Sequence, residues 1–312
     1  MRVIAGDIGG TKTLLQLVDS DGVSVEQRYD SGAYATFDDL LRDFTARSSE
    51  PVDAACFAVA GPVVGSNASV TNLGWSMNAA KLAKDFSIGR VSLINDFAAV
   101  AFGVPFLADN DVVPLQKGSR VANAPIGILG AGTGLGEAVV IHDGHDWNVV
   151  ASEGGHADFA PQNEEQVRLF LALHKELGHV SWERLLSGMG LVNIHNFITG
   201  HARPYDDVIP KEIATAYARG DDAARKTVAL FVDLYGAEAG NMALRVLARG
   251  GVFLAGGIAA RNVEWFTDGK FIEAFRRKGR FHEMLGEFPV NLIANPRVGL
   301  IGATEMARRD SG

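Results

Sequence analysis

The spacing of apolar and polar positions predicts strands at the start of the chain and a mixture of helices and strands after them. Three apolar runs separated by glycine-containing turns predict adjacent strands at residues 3–5, 14–18 and 23–29. Thr36 can cap a helix beginning at Phe37, because apolar residues then recur at helical spacing. The other elements predicted in the first half are strands at 54–60, 68–71 and 90–94 and helices at 77–86 and 97–103.

The pattern restarts in the second half, after an irregular, turn-rich stretch at residues 105–114 where we place the domain boundary. A strand at 126–129, a glycine-rich turn and a strand at 138–141 repeat the opening arrangement, and this predicts two related halves. We expect a small α/β domain of residues 1–108 plus 299–312 and a large α/β domain of residues 109–298. The remaining predicted elements are strands at 147–151, 252–255 and 290–294, helices at 164–177, 190–198, 211–219, 222–248 and 300–309, and a short helix from residue 182.

Each repeated unit turns through a glycine-rich segment, at residues 6–11 and 130–136. Such turns expose backbone N–H groups with no side chain in the way, which suits phosphate. Asp7 fits beside phosphate only if a divalent cation lies between them. The first turn is not a Walker loop, because Thr11 replaces its second glycine and a strand follows, and the dinucleotide fingerprint is absent as well. An ordinary glycine-rich hairpin is the alternative.

Composition narrows the classes of function. The chain of 312 residues is 47% hydrophobic and 21% charged, as in globular proteins long enough for two cores. The formal net charge of −8 argues against nucleic acid and anionic membranes as main partners. The only cysteine, Cys56, lies in an apolar run and predicts a small core residue. Because no signal peptide or membrane-spanning apolar run is visible, we expect a cytoplasmic protein.

Two polar motifs carry candidate chemistry. Asn95 and Asp96 end a buried strand, where Asp96 could serve either as a general base for a hydroxyl or as a helix N-cap. Glu153 and His156, separated by two glycines, could present an acceptor and a donor to neighbouring hydroxyls of a polyol, with a metal pair as the alternative. Glu183 would by itself be interpreted as a solvated carboxylate in the first turn of a helix.

Taken together, these motifs resemble the bacterial glucokinase family, within the superfamily of hexokinase, heat-shock chaperone and actin ATPases. The motifs run in order through the chain as Gly6-Asp7-Ile8-Gly9-Gly10-Thr11, Thr71-Asn72-x-x-Trp75, Ile94-Asn95-Asp96-Phe97, Gly130-Ala131-Gly132-Thr133-Gly134-Leu135-Gly136, Glu153-Gly154-Gly155-His156 and Glu183-Arg184-Leu185-Leu186-Ser187-Gly188. The resemblance implies a two-lobed, actin-like ATPase (ribonuclease H-like) α/β fold with a central ligand cleft. It also implies ATP-dependent phosphorylation of the 6-hydroxyl of D-glucose to glucose 6-phosphate, the first step of glycolysis.

The resemblance assigns roles to individual residues. Asp96 becomes the general base, and glucose is bound by Asn95, Asp96, Glu153, His156 and Glu183. Asp7 is expected to hold Mg²⁺ through water. The residues expected to bind ATP are Gly6, Asp7, Ile8, Gly9, Gly10 and Thr11 in the first turn, Gly132, Thr133 and Gly134 in the second, and Gly256 and Gly257 near the adenosine. Lys12 is expected to be an exposed strand cation, and the family implies a homodimer.

Several alternatives accompany this interpretation. The ROK sugar kinases, a sister family, pair a similar Glu-x-Gly-His motif with a cysteine-rich zinc motif, which a chain with one cysteine cannot contain. A kinase of another hexose or amino sugar, a sugar- or nucleotide-binding regulator without turnover, and a chaperone-like ATPase are the others. Asp7 and Asp96 argue against the regulator, because a sensor needs neither a base nor a metal-bound phosphate. We expect no peptide-binding domain of the chaperone kind.

Overall fold

The computed structural model describes residues 1–47, 50–70, 72–206 and 208–312. The chain separates into two compact units: unit 1 comprises Met1–Leu107 and Arg297–Gly312, and unit 2 comprises Ala108–Pro296. The boundaries expected from the sequence, after residues 108 and 298, lie one and two residues from the bounds of these units. Within the described ranges, no helix combines the length and the apolar character needed to span a membrane.

Unit 1 is built on a five-stranded sheet. Its elements are β1 (Val3–Ile8), β2 (Lys12–Asp19), β3 (Gly22–Asp30), α1 (Phe37–Thr45), β4 (Val52–Val59), β5 (Val63–Val64), β6 (Asn67–Val70), β7 (Trp75–Asn78), α2 (Ala79–Asp85), β8 (Ile88–Asn95), α3 (Asp96–Gly103) and, after unit 2, α11 (Val298–Asp310). The strand order is β3-β2-β1-β4-β8, with β1, β4 and β8 parallel and the two hairpin pairs antiparallel. Strands β5, β6 and β7 form a small separate antiparallel sheet.

Each face of this sheet has its own core, because successive residues of a strand point to opposite faces. In β1, Ile4 and Ile8 pack with residues of α1 and α2 on one face. Val3 and Ala5 pack with residues of α3 and α11 on the other face. Cys56 is fully buried in this second core, as predicted. The sheet therefore carries helices on both sides, and the middle of its parallel strand β4 is accordingly a continuous buried apolar run.

Unit 2 repeats the plan with six strands and more helices. Its elements are β9 (Val112–Gln116), β10 (Ile126–Ala131), β11 (Leu135–His142), β12 (Trp147–Ser152), α4 (Glu164–Leu177), α5 (Gly188–Thr199), α6 (Ile209–Ala218), α7 (Asp222–Val246), β13 (Gly251–Ala255), α8 (Gly257–Arg261), α9 (Lys270–Arg276), α10 (His282–Gly286) and β14 (Val290–Ile293). The strand order is β12-β11-β10-β13-β14-β9. Strand β10 is antiparallel to β11 and parallel to β13, just as β1 is antiparallel to β2 and parallel to β4.

Helix α7 forms the centre of the unit 2 core. The fully buried Tyr235 hydroxyl donates to the carbonyl oxygen of Leu129 (3.2 Å) and accepts the N–H of Ala131 (3.2 Å), which ties α7 to the end of β10. Gly236 and Gly240 let the backbone of α9 approach closely, because a side chain at either position would overlap carbonyl groups of α9. Gly236 and Gly240 are thus needed for the close packing of α7 against α9, and neither lies in a turn.

Some predicted elements are wrong in their bounds or kind. The stretch at residues 105–114 is not wholly irregular, since β9 pairs antiparallel with β14 from Val112 onward. Pro114 argues against a strand in the sequence, because proline cannot donate a hydrogen bond to a neighbouring strand. It is tolerated here because β9 lies at the edge of the sheet. The helix expected at 77–86 begins at Ala79, because the residues Trp75–Asn78 form β7 and the Asn78 side chain caps the helix.

Other predictions are confirmed. Thr36 caps α1 by accepting the N–H of Asp39 (3.2 Å), and α4 spans the predicted residues. Strand β1 runs on through Ile8, three residues beyond the apolar run, because it is paired along its length with both β2 and β4. The short helices α8, α9 and α10 were not predicted, since each spans only five to seven residues.

Candidate active site

The first glycine-rich turn joins β1 to β2 in unit 1. Gly9 donates its N–H to the carbonyl oxygen of Lys12 (3.0 Å), and its own carbonyl oxygen accepts the Ser31 hydroxyl (2.8 Å). Thr11 lies exposed in the turn. Lys12 is the exposed strand cation that the sequence predicts. The backbone of the turn is therefore held from both sides while its tip faces solvent.

Packing explains the residue types at three positions of this turn. A Cβ at Gly6 would lie 2.6 Å from Leu15 Cδ2, so the core excludes any side chain there. Ile8 is fully buried and offers a ligand only its backbone. A Cβ at Gly10 would lie 3.3 Å from Asn72 Cβ. ATP binding by residues 6–11 stays a prediction, and within it Gly6 and Ile8 act at most through the backbone.

Two carboxylates of unit 1 influence one another. Asp7 lies in β1, and Asp96 begins α3 directly after β8. The Asp7 side chain reaches solvent, yet enough protein surrounds it that loss of hydration, followed by repulsion from Asp96, raises its pKa. Burial also raises the pKa of Asp96, against a hydrogen bond from the Phe97 N–H (2.8 Å) that lowers it. Among the described residues, neither carboxylate forms an ion pair with a cationic side chain.

The helix cap at this position belongs to Asn95 and not to Asp96. Asn95 Oδ1 accepts the backbone N–H groups of Phe97 (3.0 Å) and Ala98 (3.3 Å). Its Nδ2 donates to the carbonyl oxygen of Gly61 (3.3 Å). Asp96 is the first residue of α3, so its alternative role as the N-cap is wrong. Because capping occupies the side-chain oxygen Oδ1 of Asn95, mainly its side-chain N–H groups are left for the sugar hydroxyls that it is predicted to bind.

The second glycine-rich turn joins β10 to β11 in unit 2. Gly132 donates its N–H to the carbonyl oxygen of Gly134 (2.8 Å) and accepts the N–H of Gly188, the first residue of α5 (2.8 Å). Thr133 is exposed at the tip. A Cβ at Gly134 would lie 2.5 Å from Glu183 Oε2, whereas one at Gly132 would have no atom within 4 Å. The turn is thus closed on one side and open on the other.

The structure brings Glu153, His156 and Glu183 together in unit 2. His156 Nε2 lies 3.8 Å from Glu153 Oε2, and Nδ1 lies 3.9 Å from Glu183 Oε1. Glu183 Oε2 accepts the backbone N–H of Leu135 (3.0 Å), at the end of the second turn. The side chains of Glu153 and His156 are 92% and 60% exposed, whereas that of Glu183 is 30% exposed. Two carboxylates and an imidazole in reach of solvent can accept from and donate to several adjacent hydroxyls.

Gly256 and Gly257 lie at the junction of β13 and α8. Gly256 has a φ of +85°, and a Cβ there would overlap the backbone of Ala131 at the end of β10. A Cβ at Gly257 would lie 2.6 Å from Arg261 Nη2. Close approach of two strand ends therefore accounts for Gly256, whereas the neighbour of Gly257 is the tip of a flexible side chain. Their predicted contact with adenosine stays a prediction.

The chain is similar to known glucokinases over nearly its full length. The family model described as Glucokinase matches residues 4–310. The chain belongs to the glucokinase family. The glucokinase of Trichormus variabilis is 41% identical, and the match covers 98% of this chain and 99% of that protein. The crystal structure of a glucokinase from an Antarctic psychrotroph is 30% identical, with a TM-score of 0.90 and 99% of both chains covered.

Membership of the glucokinase family confirms the predicted α/β sugar-kinase fold and the prediction of a glucokinase-type kinase. A ROK family glucokinase from Streptomyces griseus, solved in complex with glucose and AMPPNP, has the same fold at a TM-score of 0.63 and 20% identity, with 99% of this chain and 100% of that chain covered. The fold of this glucokinase-family chain therefore does not separate it from the ROK kinases.

Thr71, in the motif with Asn72 and Trp75, lies outside the described residues. In the part of the chain that the structure describes, no group of three or more His, Cys, Asp or Glu side chains is placed to hold a metal ion. The zinc alternative for Glu153 and His156 thus gains no support from their surroundings.

Sequence reasoning missed two contributors to the unit 2 site. The first is the N–H of Gly188, which holds the second turn. The second is Glu137 in β11, which is 3% exposed and lies beneath Gly154. A charged residue at a position where the strand pattern is otherwise apolar was the available signal for Glu137. Nothing in the local sequence around Gly188 indicates a hydrogen bond to a turn 56 positions earlier.

Proposed function

We propose that the chain transfers the γ-phosphoryl group of ATP to the 6-hydroxyl of D-glucose and releases glucose 6-phosphate and ADP. The full-length similarity to glucokinases supports the reaction class. The observation that carries the mechanism is the position of Asp96 at the start of α3, with the capping role taken by Asn95. Because Asn95 caps the helix, the Asp96 carboxylate, whose Oδ1 accepts the Phe97 N–H, is proposed to face the substrate.

Asp96 is the general base in this proposal. The 6-hydroxyl must lose its proton as it attacks phosphorus, and a carboxylate within hydrogen-bond reach can accept that proton. Burial raises the pKa of Asp96, which makes the ionised side chain a stronger base. Asn95, held rigid by its cap bonds, presents its amide N–H groups to the sugar.

Unit 2 supplies the other sugar contacts. Glu153 and His156 bind neighbouring hydroxyls, and Glu183 binds a further one while its second oxygen stays bonded to the Leu135 N–H. This bond joins the proposed sugar site to the second glycine-rich turn, where Gly132, Thr133 and Gly134 are proposed to bind phosphate. Positioning of this kind is the main contribution that a protein makes to phosphoryl transfer.

The residues of the first turn fit a magnesium ion. Mg²⁺ is usually held in proteins by one or two carboxylates, several waters and substrate phosphates. Asp7 offers one carboxylate, and no cationic side chain among the described residues is paired with it or with Asp96. We propose that Asp7 holds Mg²⁺ through water beside the backbone N–H groups of Gly9, Gly10 and Thr11. The ion, when bound, neutralises negative charge on the phosphates of ATP.

Three finer assignments belong to the same proposal. The chain is a glucokinase outside the ROK group, because its single cysteine cannot form a cysteine-rich zinc motif. It acts in the cytoplasm. It forms a homodimer, which the family resemblance implies.

The deciding experiment is ADP release from purified protein with Mg·ATP in a panel of hexoses and without sugar. We expect rapid release with glucose and little without it. Release with another hexose in preference to glucose would support the alternative of a different sugar kinase. No release with any sugar, together with calorimetric binding of glucose, would overturn the proposal in favour of a sugar-binding regulator.

A further inference from the structure

A cluster of charged side chains with two buried carboxylates and a half-exposed arginine lies in unit 2, beside the proposed sugar-binding loop. Its members are Glu137 in β11 and Glu238 and Arg245 in α7. Glu137 is 3% exposed and Glu238 is fully buried. Carboxylates are rarely buried to this degree unless they are paired, so both side chains are expected to have partners.

The cluster contains one cation in contact with two carboxylates. Arg245 Nη1 lies 2.5 Å from Glu238 Oε1 and 4.0 Å from Glu137 Oε2. Asn241 Nδ2 donates to Glu238 Oε2 (2.7 Å). Within the described residues, the buried Oε1 of Glu137 has no hydrogen-bond donor. Glu238 is therefore well supplied with donors, whereas Glu137 lacks one unless a proton lies between the two carboxyl groups.

Glu137 lies directly against the loop that carries Glu153 and His156. A Cβ at Gly154 would overlap Glu137 Oε2 and would lie 3.1 Å from Ser152 Oγ. Ser152 faces Glu137 in the register of β11 and β12, and its hydroxyl oxygen accepts the Gly154 N–H (2.9 Å). The Glu137 carboxyl group thus limits where the backbone of the loop can lie.

We propose that Glu137 and Glu238 share one proton and that this hydrogen-bonded pair is a positioning element, which holds the loop of residues 153–156 in its glucose-binding conformation. The proposal rests on the proposed function, because it assumes that Glu153 and His156 bind the sugar. Neither Glu137 nor Glu238 touches glucose in this scheme. When the shared proton is lost to solvent, two buried carboxylates repel one another beneath Gly154, and the loop moves.

The surroundings of the pair determine where this proton is lost. Burial and the nearby Glu238 raise the pKa of Glu137 to about 8, and Arg245 opposes this. Burial also raises the pKa of Glu238. From α7 the Tyr235 hydroxyl also faces Glu137, and the residues opposite Glu137 on the flanking strands, Leu129 and Ser152, are uncharged.

One further cation acts on the pair from outside α7. Lys278 follows α9, and its Nζ donates to the carbonyl oxygen of Ala237 (2.8 Å) and to Asn241 Oδ1 (2.6 Å). Burial lowers the pKa of Lys278 to about 8. Lys278 belongs to a short basic run at residues 276–280, but its side chain is half-buried, whereas that of its neighbour Arg277 is exposed. Because Lys278 titrates in the same range as the pair, the test must separate the two.

The test is the dependence of the KM for glucose on pH, measured from pH 6.5 to 9.5 at saturating Mg·ATP. For the unmodified chain we expect KM to rise about tenfold above pH 8, with kcat and the KM for ATP changing less than about threefold. In Glu137→Gln the amide donates permanently to Glu238, so the rise in KM should disappear while any effect of Lys278 remains. Glu176→Gln, an exposed residue of α4, is the matched control and should keep the rise.

A second readout does not depend on activity. Since the pKa of Glu137 is raised in the folded state, its contribution to stability is present at low pH and lost as pH rises toward 8. The melting temperature of the unmodified chain should therefore fall relative to that of Glu137→Gln between pH 5 and 8. If Glu137→Gln does not fold, Lys278→Gln replaces it: the rise in KM should persist in that variant, and its loss there would overturn the proposal.

Two outcomes would overturn the proposal: a KM for glucose that is constant up to pH 9.5 in the unmodified chain, or the same rise in Glu137→Gln. Either can occur in an active glucokinase, so the proposed function would stand. Absence of glucose-dependent ADP release at pH 7 would instead overturn the proposed function. The melting data then still report whether the pair shares a proton.

Discussion

The hairpins β1–β2 and β10–β11 occupy the same place in two sheets of similar strand order, but the carboxylates of the two units have different partners. In unit 1, Asp7 and Asp96 form no ion pair among the described residues, and burial, followed by repulsion from Asp96, raises the pKa of Asp7. In unit 2, Glu183 accepts a backbone N–H and Glu238 is paired with Arg245. Unit 1 thus leaves negative charge for a cation or a proton to neutralise, whereas unit 2 neutralises much of its own. In the proposed mechanism, the same backbone plan accordingly serves chemistry in unit 1 and binding in unit 2.

The largest expected effect follows from removing the proposed base of unit 1. Asp96→Asn should lower kcat by about 10²–10⁴-fold, because the amide keeps the shape of the side chain and cannot accept the proton. Glucose binding, measured by calorimetry, should change by less than about threefold. Asp21→Asn, in the exposed turn between β2 and β3, is the control. Retained turnover in Asp96→Asn would remove Asp96 from the catalytic role.

The pH dependence of the unmodified chain tests the same carboxylate. Because burial raises the pKa of Asp96 above its ordinary value of 3.8, kcat/KM should fall on acidification with an apparent pKa above 3.8. Below that pKa the activity should drop about tenfold per pH unit, since only the ionised form is a base. Rates measured after brief exposure to each pH and return to pH 7 control for unfolding. A limb at or below pH 3.8 would contradict a buried base.

Asp7→Asn tests whether the unpaired charge of unit 1 serves a cation. We expect kcat/KM for Mg·ATP to fall about 10–100-fold, with partial recovery at higher Mg²⁺ concentration, because the amide binds the hydrated ion more weakly. Calorimetric binding of glucose should be unaffected. An equal loss at all Mg²⁺ concentrations would show that Asp7 acts in another way.

Glu183 tests the binding role of unit 2 with two variants. Glu183→Ala should raise the KM for glucose about 10–50-fold, because it removes a sugar contact and leaves the Leu135 N–H without its acceptor. Glu183→Gln should cost less, since its amide oxygen can still accept that N–H. Steady-state kinetics at saturating ATP give the KM for glucose of both variants and so test this difference. Equal effects of both variants would show that the bond to Leu135 contributes little.

The smallest expected effect compares glycines of the two turns. Gly6→Ala should destabilise the protein by about 1–3 kcal/mol, because the methyl group would meet Leu15 in a packed core. Gly132→Ala should leave the melting temperature nearly unchanged, since the space there is open, and any effect should fall on the KM for ATP. Thermal melting and kinetics of both variants check this. Destabilisation by Gly132→Ala would show that the second turn is as tightly packed as the first.

Much of this arrangement follows from local sequence. The two strand–turn–strand units, the Thr36 cap and the burial of Cys56 all depend on patterns that lie within a few residues of each other. The grouping of Glu153 with His156 depends on two intervening glycines. Such features can be predicted because neighbours in the chain determine them.

What sequence reasoning could not supply depends on contacts between distant segments. Asn95 and Asp96 are both good capping residues, and which of them caps α3 depends on where β8 ends in the sheet. Glu137 has no local partner, since Glu238 and Arg245 lie about a hundred positions away. Pro114 makes the edge strand β9 hard to predict, and its partner β14 lies more than 170 positions away.

Helix α11 belongs to unit 1, although it follows all of unit 2 in the sequence. Gln16 in β2 donates to the Thr304 hydroxyl (2.5 Å), and Leu300 packs against the face of the sheet that contains Val3 and Ala5. During translation α3 alone can cover this face until residues 298–310 have left the ribosome, whereas unit 2 already contains every residue of its own main core. The part of the protein that is synthesised first must therefore wait longest to finish folding, and the nascent chain exposes an apolar sheet surface in the meantime.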